Sequence, residues 1–131
     1  MINSNSKIYV AGHNALVGSA IVRKLRNKKY KNIIHCDRNE LDLTNQLKVY
    51  KYLTKNKPDF MFIASAKVGG IYSNKKYKAD FISQNLLIQT NLIQGAFLAG
   101  VKNLIFLGSS CVYPKDMSKH CLLYTSPSPR D

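Results

Sequence analysis

Residues Lys7 to Gly18, KIYVAGHNALVG, say most about the architecture of this chain. Ile8, Tyr9, Val10 and Ala11 read as a buried parallel strand. Gly12, Ala15 and Gly18 then carry the spacing G-x-x-A-x-x-G, and Ser19 to Leu25 continue at helical period. A strand that turns tightly into a helix aims the helix's free N–H groups and positive dipole end at one point, where a dinucleotide pyrophosphate binds. Gly12 lets the chain turn, the middle position lets backbone approach phosphate, and Gly18 lets helix pack closely on strand. A glycine-punctuated turn with no ligand has the same spacing, so the rest of the chain must arbitrate.

Further apolar runs alternate with helical patterns. Leu16–Lys28 places Val17, Ala20, Ile21 and Leu25 on one face, and Asn32–Cys36 is a second short strand. Leu47, Tyr50 and Leu53 recur at a spacing of three in a lysine-rich segment that ends before Pro58. Asp59–Ala64 is a third strand and Asn103–Leu107 a fourth. Between them Ala79–Ala99 carries Phe81, Leu86, Ile88, Leu92, Ile93 and Phe97, and Gly100 closes it as a helix C-terminal glycine does. Such alternation predicts an α/β fold, an open doubly wound parallel sheet covered on both faces, with right-handed crossovers.

A chain of 131 residues suffices for one modest domain, and 45% apolar content is ordinary for a globular one. No apolar run approaches the roughly 20 residues of a membrane helix, and the polar start from Met1 to Ser6 is no secretory signal. A cytoplasmic location is the default expectation. The formal charge of +13 invites a nucleic-acid reading. The basic residues, however, gather at Arg23, Lys24, Arg26, Lys28, Lys29 and Lys31, then Lys48, Lys51, Lys55 and Lys57, on expected helix faces with no nucleic-acid-binding signature. Solvated faces that attract polyanionic small molecules are favoured, and no nucleic-acid or membrane partner is expected. Cys36, Cys111 and Cys121 are odd in number and lack C-x-x-C spacing, and His13, His35 and His120 are scattered, so neither a disulfide framework nor a metal site is expected.

In a parallel sheet of this kind ligands bind beyond the carboxyl ends of the strands. The loops there are Gly12–Leu16, Asp37–Leu43, Ser65–Asn74 and Gly108–Lys115, and they hold nearly all the chemically suggestive side chains. Asp37 follows Gly18 by 19 residues, where an acid often bonds the ribose of NAD; Arg38 beside it can instead pair with the 2′-phosphate of NADP. A turn held by Asp37 and Asn39 is the plainer alternative. Asp42 and Thr44 lie where a carboxylate and a hydroxyl can approach adenine, or where Thr44 or Asn45 caps a helix. Gly69 and Gly70 let backbone pass close to a ligand or simply turn. In GSSCVYP a serine hydroxyl can hydrogen-bond a substrate carbonyl, and Cys111 can move a proton if positive charge lowers its pKa, or can be an inert buried thiol.

Together KIYVAGHNALVGSAIV, RNELDLTNQ, AKVGGIYSN, KADFISQNLLIQTN and LIFLGSSCVYPK resemble the N-terminal half of the GDP-L-fucose synthase family, within the extended short-chain dehydrogenase/reductases. The resemblance runs from about Lys7 to His120; the glycine spacing marks only the superfamily, whereas AKVGGI and GSSCVYPK are specific. It implies an NAD(P)-binding Rossmann-like sheet, here cut short after about four strands. It also implies NADPH as cofactor, a GDP-sugar as substrate and a homodimer for the whole enzyme. The implied reaction epimerises GDP-4-keto-6-deoxy-D-mannose at C3 and C5, then reduces C4. Donors on the C4 oxygen serve both steps, stabilising enolate and alkoxide in turn. By resemblance Ser109 is the carbonyl-binding serine and Cys111 the proton-transferring cysteine. Gly12, His13, Asn14, Ala15, Leu16, Val17 and Gly18 form the pyrophosphate loop. Arg38 lies near the 2′-phosphate, with Asn39, Glu40, Leu41, Asp42 and Leu43 continuing that wall; Leu107, Gly108, Ser109 and Ser110 form a further cofactor-contacting strand end.

Departures from the family pattern temper these expectations. Ala15 replaces the usual middle glycine, Asn14 stands where an arginine is common, and Asp37 sets a negative charge beside Arg38. The family's Tyr-x-x-x-Lys pair is not found, since Tyr124 is followed at the fourth place by Ser128. On this basis the 131-residue chain alone is expected to be inactive or nearly so, and the alternatives are a non-catalytic NADP(H)-binding module or another extended short-chain dehydrogenase/reductase acting as a nucleotide-sugar epimerase or dehydratase. Residues 1–120 read as the first part of the cofactor domain. Residues 121–131, CLLYTSPSPRD, read as a tail that resembles translated adaptor sequence, or as a native disordered end.

Overall fold

The computed structural model describes residues 2–67, 75–109 and 113–114. Gly69, Gly70, Ser110, Cys111 and the segment 121–131, all singled out above, lie outside the described residues. Four strands, β1 (Ile8–Ala11), β2 (Ile33–Ile34), β3 (Phe60–Ile63) and β4 (Asn103–Phe106), form one parallel sheet in the order β2-β1-β3-β4. Ile8 pairs with Ile33 on one side and with Phe60 on the other, and Met61 pairs with Leu104. The order reverses direction between β1 and β3. That switch point opens a crevice beyond the strands' carboxyl ends.

Among the described residues three helices cover the sheet: α1 (Leu16–Asn27), α2 (Gln46–Asn56) and α3 (Lys78–Leu98). All four residues of β1 are buried, as the continuous apolar run predicts for a central parallel strand. On one face Ile8 and Val10 meet Val22 and Leu25 of α1. On the other, Tyr9, Ala11, Met61 and Ile63 meet Val49 and Leu53 of α2 and Ile88, Leu92 and Ala96 of α3. Gly95 lets α2 and α3 close up, since a Cβ there would stand 2.9 Å from Leu53 Cδ1.

The helix stops are chemically specific. Gly100 takes φ +77°, with its N–H on the Phe97 carbonyl and the Val101 N–H on that of Ala96, a Schellman closure as the sequence predicts. Lys29 adopts the same left-handed conformation, at φ 62°, to end α1, with Tyr30 N–H on the Leu25 carbonyl.

The expected helix faces need correction. In α1 the buried positions are Gly18, Val22 and Leu25; Val17 and Ala20 face outward. In α2 Val49 joins Leu53 in the core, while Leu47 is 77% exposed. In α3 Leu86, Ile93 and Phe97 are exposed with Ile82, and the inward stripe is Ile88, Asn91, Leu92, Gly95 and Ala96. That helix is apolar on both sides, so hydrophobicity alone cannot choose its face. The second strand is two residues long rather than five. Only Ile33 and Ile34 pair with β1, and the chain then turns so that His35 stacks on His13.

Candidate dinucleotide site

The site starts from the turn after β1. Gly12 has φ +87°, and a Cβ there would lie 2.7 Å from the Ala64 carbonyl oxygen, so only glycine lets this turn pass the end of β3. At Gly18 an added Cβ would collide with the Gly12 carbonyl, and the helix thereby seats against the loop itself. Ala15 is the N-cap of α1 and offers no side-chain acceptor, and the first turn carries no acidic residue. The helix presents its N–H groups and positive end without a competing carboxylate of its own, which favours an anionic ligand.

A cavity of about 730 Å³ lies at the switch point, within the range of small-molecule and cofactor sites. Gly12, His13, Asn14 and Ala15 come from the turn after β1, and Arg38, Leu41, Asp42, Leu43 and Thr44 from the loop after β2. Ser65 and Ala66 follow β3, and α3 adds Gln84, Leu87 and Ile88. Tyr9 and Cys36 complete the lining; burial raises the Tyr9 phenol well above its ordinary range, so it stays protonated.

The structure thus brings together Gly12, His13, Asn14, Ala15, Arg38, Leu41, Asp42 and Leu43 of the predicted set. Leu16, Val17, Gly18, Asn39 and Glu40 do not line the cavity: Gly18 acts through the helix joint, and the Glu40 carboxylate instead accepts from the Asp37 N–H at 3.0 Å. Leu107, Gly108 and Ser109 sit at the carboxyl end of β4, where Leu107 N–H bonds the Ile63 carbonyl at 3.1 Å, but outside this cavity. Ser109 is exposed.

Around the rim, polar groups tie the loops to one another. Asp37 Oδ1 accepts from Asn14 Nδ2 at 2.8 Å and lies 3.2 Å from His13 Nε2, while the His13 ring stacks on His35 at 4.0 Å. Burial, then the neighbouring His13, lowers the pKa of His35 below the usual imidazole value. Asp42 accepts from the Thr44 hydroxyl at 2.7 Å and its N–H at 3.0 Å, and those bonds lower its pKa. Asn45, not Thr44, caps α2, its side chain accepting from Lys48 N–H at 3.1 Å.

Two site-shaping residues escape a reading of the sequence. Asn85 clamps the loop after β3 at both ends of its amide, accepting from Lys67 N–H at 2.6 Å and donating to the Lys67 carbonyl at 3.0 Å. Asn91, 2% exposed, donates to the Leu43 carbonyl at 2.9 Å and so holds the loop after β2 against α3. The available signal was polar residues at the core-facing spacing of an otherwise apolar helix, in QNLLIQTN.

These features fit a phosphorylated dinucleotide: a glycine cradle, an uncapped helix start, a cavity of suitable size and one arginine on its wall. Among the described residues there is no cluster able to hold a metal ion and no helix long and apolar enough to cross a membrane. The basic residues of α1 and α2 singled out above all face solvent.

Comparison with known proteins agrees. Residues 8–130 match the NAD dependent epimerase/dehydratase family. GDP-L-fucose synthase 1 of Arabidopsis thaliana is 53% identical over 115 residues, 88% of this chain and 36% of that one. The GDP-L-fucose synthase of Sinorhizobium fredii is 52% identical over 109 residues, 83% of this chain and 34% of that one. The chain spans about a third of the length of the curated relatives it matches. Among solved structures, a GDP-mannoheptose C4 reductase from Campylobacter jejuni with NADP bound superposes with a TM-score of 0.87 at 38% identity, over 93% of this chain and 38% of that one.

Proposed function

The chain belongs to the NAD dependent epimerase/dehydratase family, and we propose that it supplies the NADP(H)-binding segment of a GDP-L-fucose synthase, a cytoplasmic and homodimeric epimerase–reductase acting on GDP-4-keto-6-deoxy-D-mannose. One observation carries the cofactor assignment: the cavity at the switch point joins the turn from Gly12 to Ala15, the N-cap of α1, to Arg38. The substrate assignment draws on the GDP-L-fucose synthases that match this chain at 52–53% identity. When bound, the cofactor supplies the hydride that reduces the sugar's C4 carbonyl.

The chain's own residues take the remaining roles. The turn from Gly12 to Ala15 and the start of α1 hold the pyrophosphate, and Arg38 pairs with the 2′-phosphate. Ser109 donates to the C4 oxygen, which gathers negative charge in the enolate of epimerisation and in the alkoxide of reduction. Cys111 moves the proton at the epimerised carbon.

Titration of the chain with NADPH and NADH, followed by nucleotide fluorescence, tests the cofactor assignment. Binding of NADPH that falls roughly ten- to a hundredfold in Arg38→Ala, with NADH affinity little changed, supports it. Equal loss for both nucleotides, or no binding by the wild type, counts against it. In a protein competent for turnover, Ser109→Ala should lower the rate by about 10²–10³.

A second reading has a specific basis in the C4 reductase likeness: reduction of a GDP-keto-sugar without epimerisation. Deuterium incorporation from solvent at C3 and C5, abolished in Cys111→Ser, distinguishes the epimerase–reductase from the plain reductase.

A further inference from the structure

Two of the chain's departures from its family meet in space. Asn14, where an arginine is common, and Asp37, an acid beside the 2′-phosphate-binding arginine, are joined by a 2.8 Å hydrogen bond from Nδ2 to Oδ1. The geometry points to a specificity clamp: Asn14 and His13 hold the Asp37 carboxylate away from the ribose and leave Arg38 to select the 2′-phosphorylated dinucleotide. This rests on the NADP(H) reading of the cavity.

Charge placement decides the preference. An acid at the end of the second strand ordinarily accepts from the ribose 2′-hydroxyl and repels a phosphate there, which selects NAD; a nearby arginine selects NADP. This chain carries both groups side by side. Arg38, His13 and Asn14 line the cavity, whereas Asp37 is absent from its wall and 57% exposed. The same Oδ1 that meets Asn14 lies 3.2 Å from His13 Nε2. His13 is itself fixed by stacking on His35, at 4.0 Å and 17° between planes. The Asp37 backbone is fixed as well, its carbonyl accepting from the N–H groups of Glu40 and Leu41 and its N–H reaching the Glu40 carboxylate. Main chain and side chain are both restrained, and the carboxylate is not among the groups that line the cavity. An arginine at position 14 would add a positive charge for the phosphate; asparagine instead removes a negative one from its path.

The test is a double-mutant cycle on dinucleotide preference, measured as the ratio of NADPH to NADH affinity. Asn14→Ala frees the carboxylate and should lower that ratio at least about tenfold, with an unchanged far-ultraviolet circular dichroism spectrum reporting that the chain is folded. Asp37→Asn alone should change the ratio by less than about threefold, because the acid is already held off. In the Asn14→Ala background the same substitution should restore the ratio to near the wild-type value. An Asn14→Ala variant that weakens both nucleotides equally overturns the clamp. So does an Asp37→Asn single variant whose NADPH preference rises tenfold. A wild-type chain that binds neither nucleotide overturns the cofactor reading, and the clamp with it; NADPH binding that depends on Arg38 upholds that reading even if the cycle shows no coupling.

Discussion

The two faces of the sheet are built to different standards. Toward α2 and α3, ten described residues form a continuous buried core that includes Leu53, Met61, Ile63 and Leu92. Toward α1, among the described residues, only Ile8, Val10, Val22 and Leu25 are buried together. The thicker face also carries most of the cavity wall, through the loop after β2 and through α3. The thinner face contributes one helix whose start is placed by backbone contact between Gly12 and Gly18 rather than by a large apolar anchor. One face holds the sheet together; the other aims a dipole. Stability and ligand placement are thus assigned to different helices.

Core truncation should expose the contrast most strongly. Leu53→Ala and Leu92→Ala, both fully buried in the thicker face, are each expected to cost about 2–5 kcal/mol in urea denaturation. Val22→Ala opposite should cost only about 1–2 kcal/mol. Equal losses on the two faces would erase the distinction. Next in size is Asn91→Ala, which leaves the Leu43 carbonyl without its buried donor and should cost about 1–3 kcal/mol while weakening dinucleotide binding. A loss of stability with unchanged binding would show that Asn91 serves the core and not the cavity rim.

A pH effect should be smaller and confined to the rim. Burial and the nearby His13 lower the pKa of His35 in the folded chain, so the unfolded chain binds the proton more readily. Stability present above the unfolded value of about 6.5 is lost as pH falls through it, and the loss levels off below the folded pKa. The thermal midpoint should therefore drop between about pH 7.5 and 5.5 in the wild type, and less so in His35→Asn. The smallest expected effect is a gain. Lys29 ends α1 in a left-handed conformation, so Lys29→Gly should stabilise the thinner face by about 1 kcal/mol, as judged by the urea midpoint.

What the sequence reveals follows this division. Glycine positions are legible: Gly12 makes its turn and Gly100 ends α3 as predicted, while Gly18 permits a close approach to the Gly12 turn rather than to the strand. The parallel sheet is legible too, because β1 is apolar throughout and the helical segments intervene. The inward face of α3 is not legible, for a physical reason: Ile82, Leu86, Ile93 and Phe97 make its outside as apolar as its inside. β4 shows the same ambiguity, since NLIF reads as a core strand and yet three of its four residues are exposed. Within the site, the loop residues around Gly12 and Arg38 could be anticipated. The clamps by Asn85 and Asn91 could not, because an asparagine's partner is fixed by tertiary placement and not by spacing.

The sheet order also bears on how a ribosome can deliver this protein. β1 emerges first, but its partners on either side, Ile33 and Phe60, follow well behind it. The cavity wall runs from Tyr9 to Ile88, an interval that takes roughly 4–16 seconds to translate at ordinary elongation rates. For that time the one described strand that ends up buried at every position waits without a neighbour, and no dinucleotide can lend it stability. The nascent chain must be sheltered before its ligand can be of any help.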